Sequence, residues 1–290
     1  MRKLVQWLLP GILVLLAGCD GEGLTYAAGE IDGTSAKKVS KPILITGSST
    51  LGPLIAAAAE RYEKEHPGIR IDVQTGGSSR GIADARRGLA EIGMTSRALA
   101  PAERAGLRQH IIAKDGVGFL VHTDNPIDGL TGSQLLDIFT GIKTEWATVG
   151  GDEGEIVVIN RPAGRSELDL VAGYFRIPPG RMVASAIGGE NTQVLKLVAG
   201  NPRAISYVSI GSAAHSITSG SQAKLLKLGE IPATPDHVRE GTYALSRPLV
   251  LVTGPKVSPT AQAFLDELLS DRMDDLILAH SFVPPEREPR

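Results

Sequence analysis

The chain contains a single cysteine, Cys19. No intramolecular disulfide is possible, so the fold must rest on a buried apolar core. Aromatic residues are scarce, at 4%, and 30 Lys and Arg nearly balance 32 Asp and Glu without forming a basic run. With so few rings to stack on bases and no cationic stripe, nucleic acid is not an expected partner. The six histidines show no H-x-x-x-H spacing and have no cysteine partners, so neither a metal nor another cofactor is expected. After the first twenty residues, no apolar stretch approaches the ~20 residues needed to span a bilayer.

What is present begins at the N-terminus. Arg2 and Lys3 precede the apolar segment Leu4 to Leu16, which ends in Leu16-Ala17-Gly18-Cys19. A basic start, a short apolar stretch and small residues form a secretion signal. Small residues directly before a cysteine also resemble the bacterial lipobox, which implies cleavage before Cys19 and lipidation of its thiol. Residues 1–19 are therefore read as a lipoprotein signal peptide. Asp20 implies retention in the periplasm at the inner (cytoplasmic) membrane. Residues 20–40 have no sustained apolar period and read as a flexible tether, with a span of roughly 25 Å.

About 250 residues remain, rich in glycine and apolar β-branched runs. Strands are expected at 43–45, 69–74, 117–122, 156–160, 204–209 and 249–252. Helices are expected from Pro53 to about Glu65, from Ile82 to Arg87, after Ser133, after Ser166 and over 191–198. A long terminal helix should run from Pro259 through Phe264, Leu268 and Leu276. This alternation predicts an α/β protein with mostly parallel sheets.

One device occurs three times: a strand, a Gly/Ser-rich turn, then a helix. The turns are Gly47 to Thr50, Gly76 to Ser79 and Gly164 to Ser166. A helix N-terminus presents unpaired N–H groups and partial positive charge. Glycine lets the backbone approach a ligand, and hydroxyls add donors, so several such turns together make an anion site. Ordinary N-capping explains any one turn, but it needs a single hydroxyl and two of these turns carry consecutive ones. Arg161, at the end of a strand just before the third turn, could grip an oxyanion with two parallel hydrogen bonds.

Several stretches resemble the substrate-binding lipoproteins of phosphate ABC importers, over about residues 41–290. They are Thr46-Gly47-Ser48-Ser49-Thr50-Leu51, Gln74-Thr75-Gly76-Gly77-Ser78-Ser79-Arg80-Gly81 and Glu91-Ile92-Gly93-Met94-Thr95-Ser96-Arg97. Leu130-Thr131, Asp137 to Gly141, Ala204 to Gly211 and Ser281-Phe282-Val283-Pro284 extend the match. The resemblance implies a two-lobed periplasmic-binding-protein-like (type II) fold, each lobe a mostly parallel sheet flanked by helices. It places lobe 1 at 41–121 and 253–290, lobe 2 at 122–252, and a hinge between them. It implies capture of phosphate or a related oxyanion and delivery to an ABC permease in the inner membrane by a lipid-anchored monomer.

Carried over by motif, the ligand-binding set is Ser49, Thr50, the Leu51 amide, Gly77, Ser78, Ser96, Arg161, Arg165, Ser166 and Glu167. Ser96 stands where some members have an acid. In the third turn the family pattern Gly-Ser-Gly-Thr has become Gly164-Arg165-Ser166-Glu167. Both expected hydroxyl donors are changed, one of them to an acid, which leaves the identity of the oxyanion open. Either Glu167 faces outward and only supports its helix, or it faces inward, pairs with Arg165 or Arg161 and accepts a hydrogen bond from a protonated ligand.

Two other functions fit parts of the chain. Gly77-Ser78-Ser79-Arg80-Gly81 matches the G-x-S-x-G elbow of serine esterases, with Ser79 as nucleophile and His237 or His280 as base. No His-Gly-Gly segment precedes it, and the sibling turn at 47–50 is then unexplained. A transporter-independent oxyanion sensor would carry the same site.

Overall fold

The computed structural model describes residues 41–286. The expected signal peptide, the lipidation site Cys19 and the tether lie outside the described residues. The first part of the chain alternates strand and helix: β1 (Ile43–Gly47), α1 (Gly52–Glu65), β2 (Ile71–Thr75), α2 (Ser78–Arg87) and β3 (Ile92–Thr95). The long strand β4 (Arg108–His122) follows, then β5 (Gly129–Leu130), α3 (Gly132–Phe139), β6 (Val157–Asn160), α4 (Ser166–Phe175) and β7 (Ala186–Ile187). Next come α5 (Asn191–Ala199), β8 (Ala204–Ser209), α6 (Ile210–Thr218), β9 (Ala223–Leu225), β10 (Lys227–Leu228) and α7 (Pro235–Arg239). The chain ends with β11 (Ser246–Thr253), α8 (Pro259–Leu268) and α9 (Asp274–Ala279).

The main sheet has the order β2-β1-β3-β11-β4-β8-β6-β7, with β9 on a branch from β4. It serves two lobes. In lobe 1, β2, β1 and β3 are parallel, and β11 runs antiparallel to β3 and to the first half of β4. In lobe 2, β8, β6 and β7 are parallel, and the second half of β4 runs antiparallel to β8 and β9. The sheets are thus mixed where the lobes meet and parallel toward their outer edges.

Both faces of each half-sheet are covered, as alternation along the strands requires. On β11, Leu249 and Leu251 join a core with Leu54, Phe264 and Ile277, while Val250 and Val252 pack with Ile82 and Ala85 of α2. On β4, Val117, Phe119 and Val121 meet α3 and α4, while Leu120 meets the core of α5 and α6.

Ile112 and Ala113 belong to the lobe 1 core and Val117 to that of lobe 2. Likewise Tyr243 and Leu245 pack in lobe 2 and Leu249 in lobe 1. Asp115 and Arg247, where the side chains pass from one core to the other, are register partners across β4 and β11. The polar start of β4, Arg108-Gln109-His110, masked the first half of that strand. The expected long terminal helix is broken after Leu268: Ser270 opens a 3-10 turn at Asp271–Met273, and α9 follows.

Helix α2 sits on β1 and β3 at backbone contact distance. A Cβ on Gly81 would lie 2.5 Å from the Met94 carbonyl oxygen and 2.7 Å from that of Thr46. Gly47 takes φ +137°, which a side chain rarely tolerates, and a Cβ there would meet the Met94 carbonyl oxygen at 2.1 Å. These glycines fix the N-terminus of α2 against the end of β1.

Candidate functional site

Three helices point their N-termini at the space between the lobes: α1 and α2 from lobe 1, α4 from lobe 2. Their N-cap residues are Leu51, Gly77 and Arg165, and none makes a side-chain capping bond. Side-chain capping occurs on α3 (Thr131), α6 (Ser209), α7 (Thr234) and α8 (Ser258), but not on α5 or α9. In the three turns, Ser48 Oγ accepts from the Thr50 amide at 3.1 Å at the start of α1, while Thr50, Ser78 and Ser166 cap no helix, so N-capping does not account for the set.

They meet one another instead. The Ser48 and Ser96 hydroxyls lie 2.6 Å apart, and those of Ser96 and Ser166 3.1 Å apart. The Ser96 amide donates to Ser78 Oγ at 3.1 Å. Arg247 Nη1 donates to Ser166 Oγ at 3.0 Å. Thr50 Oγ1 donates to Glu167 Oε1 at 3.1 Å and accepts from Arg247 Nη2 at 3.0 Å and Asn191 Nδ2 at 3.1 Å. All of these side chains are buried.

Two buried arginines supply the positive charge. Arg247, missed in the sequence, contacts Asp115 Oδ2 at 3.0 Å and Glu167 Oε1 at 3.1 Å. Burial works against its charge, but the two carboxylates overrule that and hold it ionised. Burial pushes the Asp115 carboxyl up, against the opposing pull of Arg247, whose Nη2 and Nε donate to it at 3.0 and 3.3 Å. Arg161, at the end of β6, donates from Nη2 to Asn191 Oδ1 at 3.0 Å and lies 3.7 Å from Glu167 Oε2. Its Nε is buried with no partner among the described residues. Burial lowers the Arg161 pKa, and an acceptor at that nitrogen would counter the effect.

Glu167 faces inward and is buried. Burial alone would raise its pKa, but the charges of Arg247 and Arg161 and the Thr50 hydroxyl hold it at about 2. Its partners are Arg247 and Arg161. The expected pairing with Arg165 does not form, because Arg165 turns to Glu190 at 2.7 Å.

Of the expected site residues, Thr50, Ser78, Ser96, Arg161, Ser166 and Glu167 come together. Gly77 sits at the lobe contact, where a Cβ would lie 2.9 Å from the Gly164 carbonyl oxygen. Ser49 is only partly buried, and the Leu51 side chain packs in the core. Sequence reasoning missed Ser48, Asp115, Asn191 and Arg247. Charges inside the apolar strands β4 and β11, and a polar residue opening α5 after Gly188-Gly189, were the available signals. Neither candidate base has a hydrogen bond to Ser79 among the described residues: His237 Nδ1 meets Thr234 Oγ1 and His280 Nδ1 meets the Leu276 carbonyl.

The chain matches the model of the PBP superfamily domain over residues 31–272. It is 27% identical over 291 residues, 98% of this chain and 94% of the relative, to the phosphate-binding protein PstS of Bacillus subtilis strain 168. A solved structure from Clostridium perfringens, described as a phosphate ABC transporter substrate-binding protein with bound phosphate, is 30% identical. The match has a TM-score of 0.79 and covers 85% of this chain and all of that one. An ABC-type phosphate transport receptor from Vibrio cholerae is 28% identical with a TM-score of 0.67, covering 84% of this chain and all of its own.

Proposed function

We propose that this chain, which belongs to the PBP superfamily, is an extracytoplasmic solute-binding protein that captures phosphate between its lobes and delivers it to an ABC importer. The relatives named above are phosphate-binding or phosphate-transport proteins. The observation that carries the reading is the convergence of three helix N-termini on two buried arginines, one with an Nε that has no partner among the described residues. An oxyanion supplies the missing acceptor, and helix ends favour it electrostatically.

The chemistry is binding without covalent change. Hydroxyls of Thr50, Ser96 and Ser166 and the Arg161 guanidinium donate to the anion. The Glu167 carboxylate can accept from an oxygen that still carries its proton, which hydrogen phosphate offers and sulfate does not. Lipidation at Cys19 would keep a monomeric binding protein beside its permease at the inner membrane.

Calorimetric titration with phosphate, sulfate, molybdate and tungstate tests the reading. Phosphate should bind, and Arg161→Ala should weaken it by ~1.5–3 kcal/mol for each charged hydrogen bond lost. No heat with any of the four, or an unchanged dissociation constant in the variant, removes the site. Cys19→Ser should free the protein from membranes; normal maturation and retention of that variant rules out the anchor.

A further inference from the structure

Among the described residues, three guanidinium nitrogens are buried without a hydrogen-bond partner: Arg97 Nε, Arg161 Nε and Arg165 Nη1. Arg97 Nε has a carboxylate oxygen nearby, Asp169 Oδ2 at 3.7 Å. The other two belong to the two ends of the turn that leads into α4. Arg161 is part of the oxyanion site already described. Arg165 stands where the family pattern has a serine, so the pattern itself gives an arginine there no role.

The Arg165 side chain lies across the seam between the lobes. A Cβ built on Gly77, the N-cap of α2, would meet Arg165 Cδ at 3.1 Å and Nε at 3.3 Å. The stem thus covers the start of a lobe 1 helix, while Nη2 donates to Glu190 Oε1 at 2.7 Å within lobe 2. A plain surface ion pair would leave the rest of the guanidinium in water. Here the Arg165 side chain is 12% exposed and its Nη1 is enclosed, whereas the Glu190 side chain is 34% exposed.

The distribution of charge points the same way. Arg161 and Arg247 face Asp115 and Glu167, two cations against two buried carboxylates. Arg165 pairs with Glu190, the carboxylate that water screens most. Burial is the main force lowering the Arg161 pKa, and the charge of Arg165 adds to it. Like charges this close in a buried setting are relieved by an anion between them.

We propose that Arg165 is a third cationic contact for the oxyanion: Nη2 stays on Glu190, and Nη1 donates to the anion at the lobe seam. Glu190 then has two opposed effects. It orients the guanidinium, and its own charge repels the ligand, so it holds the affinity down. This proposal rests on the oxyanion site and adds to it a pair of residues that sets how strongly the site holds its anion.

The test is calorimetric titration of inorganic phosphate into the full-length chain, its Arg165→Met variant and its Glu190→Gln variant. Methionine keeps an unbranched stem over Gly77 and removes the charge. It should weaken binding at least tenfold, as the loss of one charge-assisted hydrogen bond predicts. Glutamine keeps an acceptor for Nη2 and removes the repulsion, so Glu190→Gln should tighten binding severalfold. The two ends of one ion pair should therefore move the dissociation constant in opposite directions. A pair that only ties α4 to α5 would weaken binding from both ends or leave it unchanged, and either result overturns the proposal. Thermal unfolding checks that the variants are folded. Should Arg165→Met not fold, Glu190→Gln decides alone, since it alters a partly exposed side chain: unchanged or weaker binding there refutes the proposal. If the wild type binds phosphate and the variants do not diverge, only this proposal falls; if the wild type binds none, the oxyanion site falls with it.

Discussion

Glutamine in place of Glu167 removes one charge and keeps the shape of the side chain. In the wild type the carboxylate accepts from Thr50 and Arg247 at 3.1 Å and lies 3.7 Å from Arg161. Its pKa falls from 4.5 to about 2, and each unit is worth ~1.4 kcal/mol, so its ionised form is favoured by about 3 kcal/mol. Breaking a buried ion pair by removing one partner costs ~3–5 kcal/mol, in the same range. Glu167→Gln should thus destabilise the ligand-free protein by about 3 kcal/mol, which in a chain of this size lowers Tm by ~6–12 °C. The same change leaves two arginines facing one carboxylate, Asp115, so the site gains a net positive charge. Phosphate should bind the variant more tightly, and at a hundred times its Kd should restore ~2.7 kcal/mol. Thermal unfolding with and without phosphate, paired with calorimetry, measures both effects. A variant that unfolds at the wild-type temperature and binds phosphate with unaltered affinity would refute this account.

Three further outcomes follow from the same geometry. Because the Glu167 pKa is depressed on folding, its contribution is fully present above the unfolded value near 4.3 and is lost as pH falls toward 2. Between about pH 5 and pH 2 the wild type should therefore lose ~3 kcal/mol more than Glu167→Gln; parallel acid-unfolding curves would argue against the pairing. Gly81→Ala places a Cβ 2.5 Å from the Met94 carbonyl oxygen and should cost ~1–3 kcal/mol by overpacking. An unshifted denaturant midpoint for that variant would mean α2 can move off the sheet freely. X-ray scattering should give a smaller radius of gyration with phosphate than without, since donors from both lobes meet only when the lobes close; identical curves at saturation would rule out a hinge.

The sequence made the strand–turn–helix units legible because each carries its own local signal: an apolar run, glycines where the backbone turns, and a helix start. Thr50, Ser78, Arg161, Ser166 and Glu167 lie in or beside those units, while Ser96 came from the family resemblance alone. Arg247 and Asp115 came from none, because their role is set by the register between β4 and β11, strands more than a hundred residues apart in sequence. Asn191 escaped for a similar reason: its partners Thr50 and Arg161 lie on other elements. Because β4 serves both lobes, no composition change marks the point where its side chains pass from one core to the other. Arg165 was a reasonable partner for Glu167 by proximity in sequence, yet the N-terminal turn of α4 points the two side chains apart.

The crossing and the site turn out to be one piece of structure. Arg247 lies where β11 leaves lobe 2, beside its register partner Asp115 on β4. The same guanidinium reaches Thr50 of lobe 1 and Ser166 and Glu167 of lobe 2. A ligand can shift closure only by the difference in its affinity for the open and closed arrangements. Here that difference arises at a residue already attached to the pivot, so no relay through the lobes is required. The lobes also meet directly, through Thr50 with Glu167, Ser96 with Ser166, and the Ser79 amide with the Gly164 carbonyl at 3.3 Å. The carboxylate of Glu167 thus acts as a built-in anion that bridges the lobes. An incoming oxyanion must either share Arg247, Arg161 and Thr50 with that carboxylate or bring a hydroxyl that donates a hydrogen bond to it. The residue that sets the charge of the site is therefore also a residue that joins the lobes, which couples what the chain selects to how readily it closes.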